Sequence, residues 1–77
     1  MKEKKEKLKT FSDNLKKTRE KKRYTQQEIA KKAGMTVQAY NRYEKGKTEP
    51  GILTAKKIAN ACGTTLENLL RKEQEKK

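Results

Sequence analysis

The sequence has no histidine and no tryptophan, one cysteine, one proline, four glycines and four aromatic residues among 77. Each shortage narrows the possible chemistry. Without histidine, no imidazole can serve as a general base, activate Cys62 as a nucleophile or share a metal with it. A lone cysteine forms no internal disulfide, and Cys62, spaced with Ile58 and Ala59 on one apolar helix face, reads as a buried structural thiol. Carboxylates are not clustered, and no glycine-rich loop is built to cradle a phosphate. The expectation is a protein that is not an enzyme, with no cofactor, metal or small-molecule ligand. No apolar run is long enough to span a bilayer, and no apolar signal segment follows the basic N-terminus, so no membrane role and a cytoplasmic location are expected.

Acid is scarce as well, with ten acidic residues against 22 basic ones, a net charge of +12 and a pI of about 10.0. Such a charge suits a polyanionic partner and opposes basic ones. Leu, Ile, Val and Phe together number eleven, a content low enough to suggest disorder. Their distribution says otherwise. Nineteen of the 23 hydrophobic residues lie between Tyr24 and Leu70, at helical spacing and between capping residues. One small all-α domain is implied, able to bury about 60% of its unfolded surface.

The chain is organised around Thr25–Gly46, TQQEIAKKAGMTVQAYNRYEKG. Thr25 and Glu28 stand at capping-box spacing, so a helix is predicted from Gln26 to about Ala33, with Ile29, Ala30 and Ala33 inward and Lys31 and Lys32 outward. Gly34 can end that helix in a left-handed conformation, and Thr36 can cap the next only two residues later. A second helix, Val37–Lys45, then carries Tyr40, Tyr43 and Glu44 on one face and Gln38, Asn41, Arg42 and Lys45 on the other. This is a helix-turn-helix pattern. The outward groups are those that read base edges in a DNA major groove. Gln38 and Asn41 can pair with adenine, Arg42 with guanine, and Val37 can meet a thymine methyl. Any amphipathic helix shows a polar face, so the flanking sequence decides the weight of this pattern.

Upstream, a helix is predicted over about Phe11–Lys22, with Phe11 and Leu15 inward and Thr18 and Arg19 on or beside that face. Only four of the 22 basic residues are arginine, and a planar guanidinium suits a carboxylate held in fixed geometry. Glu44, on the inner side of the second helix, is the available acid. Downstream, KTEPG breaks the chain before a helix over Ile52–Cys62, whose expected buried stripe is Ile52, Ala55, Ile58, Ala59 and Cys62, with Leu53 outside it. Gly63 ends this helix, Thr64 or Thr65 caps the next, and Leu66, Leu69 and Leu70 are expected to line a short fifth helix that closes the bundle. Tyr24, Tyr40 and Tyr43 could stack on bases, but their spacing fits the core. Residues 1–9 read as a basic arm, mobile or a frayed helix with Glu3 and Lys7 at i, i+4 spacing; residues 10–70 form the domain; residues 71–77 are a charged tail.

The run from Leu15 to Leu70, with QQEIAKKAGMT, YNRYEKGKTEP and IANACGTTLENLL, resembles the helix-turn-helix domain of the lambdoid phage repressors and Cro, within the bacterial and phage family called XRE-like. The resemblance covers about three quarters of the chain. It departs from the family pattern at Thr18, usually apolar, and at Gly51, usually a serine cap. It implies a compact five-helix bundle of the lambda repressor-like kind. It further implies phosphate contacts from Gln26, Lys45 and Lys47, with Thr36 beside them; base contacts from Val37, Gln38 and Arg42, with Asn41 on the same face; and an ion pair between Arg19 and Glu44 that bridges the first helix to the recognition helix. Lysines of the N-terminal arm would add contacts independent of sequence.

The function so expected is a sequence-specific, double-stranded DNA-binding transcriptional regulator, most simply a repressor, associated with the nucleoid. Its partners would be a near-palindromic operator and a second copy of the chain in a weak homodimer strengthened on DNA, through Leu53, Leu66, Leu70 and their neighbours. The alternative is a protein-interaction adaptor, such as an antitoxin-like module, using the same fold. Generic binding to RNA or anionic lipid would follow from charge alone.

Overall fold

In the computed structural model, residues 2–71 are described, with side chains from Leu8 onward. Met1 and most of the charged tail, residues 72–77, lie outside the described residues. Five helices follow in order: α1 (Lys2–Lys21), α2 (Gln26–Ala33), α3 (Val37–Glu44), α4 (Ile52–Ala61) and α5 (Leu66–Leu70). Among the described residues there is no strand.

The first helix begins nine residues earlier than the apolar pattern suggested. Of the two readings of residues 1–9, the structure shows helix: Lys2–Lys9 forms the first two turns of α1. The chain has no glycine or proline before Gly34, so nothing interrupts a helix once Phe11 and Leu15 anchor it. Leu8 adds a half-buried contact beside Phe11, and Lys9 pairs with Asp13 at 3.2 Å one turn on. Twenty residues of helix span about 30 Å.

The far end of α1 is closed by an unusual residue. Arg23 has φ of 64°, the one non-glycine with positive φ among the described residues, and its turn lets the amide of Tyr24 bond the carbonyl of Arg19 at 3.1 Å. A side chain in this left-handed conformation costs roughly 1 kcal/mol or more. The ends of α2, α3 and α4 use glycine there: Gly34, Gly46 and Gly63 have φ of 75°, 73° and 75°. Lys22 adds a tie across the fold, its Nζ donating to the carbonyl of Gly63 at 2.8 Å.

The core lies where all five helices meet. Leu15, Ile29, Tyr40, Ile58, Cys62 and Leu69 are its largest fully buried side chains, with Phe11, Ala30, Ala33, Ala55, Ala59 and Ala61 around them. Helix α2 packs on α3 and α4, and α1 crosses α3 and α5. Burial raises the Cys62 thiol to a pKa of about 11, so it stays protonated. Tyr24 closes the edge of α2, with Lys32 Nζ 4.5 Å over its ring.

Three expectations are corrected here. Ile52 is not part of the buried stripe of α4; it is 67% exposed, beside Leu53 at 74%. It stands on the first turn of α4, whose buried residues begin at Ala55 and run on to Ala61. Leu70 is 46% exposed because α5 is only five residues long and commits one apolar position, Leu69, to the core. Three helices stop one residue short of their predicted ends: α1 ends at Lys21, and Lys45 and Cys62 are C-caps of α3 and α4. Thr65, not Thr64, caps α5, its hydroxyl accepting from Asn68 N at 3.1 Å. Gly51, at the N-cap of α4, makes no side-chain cap bond.

Candidate nucleic-acid interface

The geometry of α2 and α3 is set by their ends. At the start of α2 the Thr25 hydroxyl accepts from Glu28 N at 3.1 Å while the Thr25 amide donates to Glu28 Oε1 at 2.8 Å, a closed capping box. Gly34 then turns the chain, Met35 N reaching back to the Ala30 carbonyl at 2.9 Å. The Thr36 hydroxyl accepts from Ala39 N at 3.1 Å and starts α3. The last turn of α3 is fixed from α1, where buried Ser12 donates its hydroxyl to the Tyr43 carbonyl at 2.7 Å. Gly46 lets the chain turn there, since a β-carbon at this position would stand 3.2 Å from Ser12 Oγ.

The inner face of α3 is fastened by one carboxylate. Glu44 is buried, with its side chain 3% exposed. Arg19 donates from Nε to Oε2 at 2.6 Å and from Nη2 to Oε1 at 3.2 Å, the two-pronged grip that a guanidinium offers. Tyr40 donates its hydroxyl to Oε2 at 2.7 Å, and Gln26 its Nε2 to Oε1 at 2.9 Å. Burial alone would push the Glu44 carboxyl up, but the bonds from Arg19, Tyr40 and Gln26 outweigh it and hold its pKa below the usual carboxylate range. The bond to Glu44, against the opposing effect of burial, raises Arg19 above its ordinary value. Burial, then the bond to Glu44, raises Tyr40 far above the ordinary phenol. Arg19 also donates from Nη1 to the Tyr24 carbonyl at 2.8 Å, so α1, α3 and the α1–α2 turn share one polar knot.

The outer face is open. Gln26, Val37, Gln38, Asn41, Arg42, Lys45 and Lys47 line a single surface depression, bringing together every residue assigned to base or phosphate contact except Thr36, whose exposed hydroxyl accepts the α3 cap bond and keeps its own O–H to donate. No carboxylate lines it. Gln38, Arg42, Lys45 and Lys47 are exposed, while Val37 and Asn41 are half-buried. Asn41 Nδ2 donates to Gln26 Oε1 at 3.1 Å, so Gln26 is joined to Asn41 on one side and Glu44 on the other.

Other residues had no role in the sequence reading. Lys16 of α1 lines an adjoining depression with Gln26, Asn41, Lys45 and Lys47, where Asp13, Arg19 and Glu44 also stand. Asn14 donates from Nδ2 to the carbonyls of Leu69 and Arg71 at 2.8 and 2.7 Å, closing α5 from α1. Ser12 left a signal: a small polar residue next to Phe11 and three before Leu15 sits where a neighbouring backbone can approach.

A helix-turn-helix family model matches residues 15–69, from α1 to the last turn of α5. The chain belongs to the helix-turn-helix family. This helix-turn-helix chain is 45% identical over 67 residues to YqaE, an uncharacterized HTH-type transcriptional regulator of Bacillus subtilis (strain 168). It is 43% identical over 61 residues to YonR, an SPbeta prophage-derived uncharacterized HTH-type transcriptional regulator of the same strain. These matches take in 87% and 79% of the chain but 58% and 56% of the relatives, so the chain spans a little over half their length. Among solved structures, the restriction-modification controller protein C.AhdI from Aeromonas hydrophila superposes with a TM-score of 0.76 over 80% of this chain and 94% of that one. At 22% identity, the likeness establishes the all-α helix-turn-helix fold. The iron(II) form of HppE with substrate has a TM-score of 0.74 and 25% identity over 82% of this chain, but only 37% of its own.

Among the described residues, no helix is long and apolar enough to cross a membrane, and no group of three or more acidic or cysteine side chains could hold a metal ion.

Proposed function

We propose that the chain is a sequence-specific DNA-binding transcriptional regulator, acting as a repressor, which sets α3 in the major groove of double-stranded DNA. The carrying observation is the division of α3: Glu44 and Tyr40 are fastened beneath, while Val37, Gln38, Asn41 and Arg42 face out in one depression free of carboxylates. Amide and guanidinium groups read base edges, and Lys45, Lys47 and Lys16 at the border neutralise phosphates. The description of both Bacillus subtilis relatives as HTH-type transcriptional regulators supports the same reading. Chemistry on a substrate has no place in it.

The reading includes a homodimer. Ile52, Leu53 and Leu70 are large exposed apolar side chains. Ile52 and Leu70 border a groove of about 230 Å³ with Leu8, Phe11, Pro50 and Leu66. A second copy across a two-fold axis would cover this surface and place the two recognition helices about 34 Å apart, one turn of DNA, on a near-palindromic operator.

The test is selection of random duplexes by the purified protein, followed by anisotropy titration of the enriched site and a scrambled one at about 50 and 200 mM salt. A two-fold symmetric site bound at least about a thousandfold more tightly than the scrambled duplex, with the preference lost in Gln38→Ala or Arg42→Ala, supports base reading by α3. Equal binding to both duplexes, collapsing with salt, would reject it in favour of charge alone or of an adaptor role.

A further inference from the structure

The contacts beneath the depression form a chain: Arg19 and Tyr40 to Glu44, Glu44 to Gln26, Gln26 to Asn41. Each link is directional. Ionised Glu44 has only acceptors to offer, so Gln26, 2.9 Å from Oε1, must present its amide nitrogen there. That turns Gln26 Oε1 toward Asn41. An amide oxygen also only accepts, so Asn41 must present Nδ2, at 3.1 Å. A flipped Asn41 would set oxygen against oxygen.

We propose that Gln26 is a positioning residue for base recognition, and that through it the Glu44 carboxylate fixes which edge of the Asn41 amide is offered to DNA. The inference rests on reading α3 as the base-reading helix. Asn41 spends one N–H on Gln26 and keeps its second N–H and Oδ1. These are a donor and an acceptor on one planar group, the complement of adenine N7 and N6–H. Because the amide is held before DNA arrives, its rotamer entropy is already lost in the free protein and its polarity already chosen. The preference at the base pair facing Asn41 therefore belongs to three residues on two helices, of which Asn41 alone meets the base edge. Gln26, assigned from sequence to a phosphate, keeps one N–H for that contact as well.

The test uses the full chain and three variants: Gln26→Met, which keeps length and removes the amide, Asn41→Ala, and the two combined. In the free protein, side-chain ¹⁵N relaxation reports whether the Asn41 amide is held. Restricted motion in the wild type and free rotation in Gln26→Met are expected. On DNA, affinities are measured for duplexes carrying each of the four base pairs at every position of the selected site. Gln26→Met is expected to lower discrimination by at least about fivefold at the same single position that Asn41→Ala affects, and the double variant to lower it no further. Uniform weakening on all duplexes with the ratios intact, or equal Asn41 mobility with and without Gln26, would overturn the positioning role. In either case preferences lost in Gln38→Ala and Arg42→Ala would leave the base-reading helix standing. Absence of any base-pair preference in the wild type would overturn both.

Discussion

Arg19 and Glu44 meet edge to edge, the guanidinium spanning both carboxylate oxygens at 2.6 and 3.2 Å, although 25 residues separate them in the chain. This contact joins the first helix to the inner side of the third, and its removal leaves a buried charge. Arg19→Ala is expected to cost about 3–5 kcal/mol in urea unfolding, a large part of the total for a domain of this size. Arg19→Lys should fall between, since an ammonium cannot reproduce the fork. An unchanged melting temperature in Arg19→Ala would remove this contact from any account of stability.

The same contact predicts a pH dependence. Glu44 titrates below its ordinary value in the folded chain, so the unfolded state takes up its proton first as pH falls. The stability from the ionised form is complete above the unfolded carboxylate pKa of about 4.3 and is lost as pH drops through the lower folded value. The gap in unfolding free energy between wild type and Glu44→Gln should be widest near neutrality and shrink below about pH 4. A gap that stays constant from neutral to acid pH would show that the carboxylate charge contributes nothing.

Arg23 holds a left-handed turn that its neighbours assign to glycine. Arg23→Gly should stabilise the fold by about 0.5–1 kcal/mol, the strain relieved less the extra freedom of the unfolded glycine. The matching control, Gly34→Ala, should lower stability by about 1 kcal/mol or more. Thermal unfolding of the pair reads both; a drop in melting temperature for Arg23→Gly would mean that the side chain contributes more than its conformation costs.

The basic border and the polar face should separate in titrations. Lys45→Ala or Lys47→Ala should weaken binding to all duplexes alike and reduce the salt slope by about one. Arg42→Ala should instead narrow the difference between the selected and scrambled sites. A sequence-dependent effect from Lys47→Ala would reassign that residue to base contact.

Ile52 and Leu53 can be changed with little effect on folding, since both are largely exposed. Ile52→Asp with Leu53→Asp should leave the melting temperature nearly unchanged yet abolish any concentration-dependent dimer in sedimentation. A dimer that survives the double substitution would place the contact elsewhere.

Much of the interface could be read in the residues because its signals are local. Thr25 with Glu28, Gly34 with Thr36, and the split of α3 into two faces all lie within a turn or two of what they govern. Features that arise from contact between distant segments were less legible. Ser12 against Tyr43 is 31 residues apart and Asn14 against Leu69 is 55; only packing makes either pairing visible. Ile52 misled because apolar spacing cannot tell at which turn of α4 burial begins. The early start of α1 was hidden for the opposite reason: its first turns are highly charged, and helix persistence there depends on the absence of breakers.

The two faces of α3 also bear on how such a protein can change. Fixation depends on Tyr40, Glu44 and the carbonyl held by Ser12, whereas exposed Gln38 and Arg42 lie outside the core. If α3 reads bases as proposed, substitutions at those two positions would redirect the chain to another target without eroding the scaffold. Asn41 differs, because it shares its amide with Gln26. On the proposed positioning role of Gln26, retargeting at that position would be a paired problem, requiring coordinated substitutions on two helices.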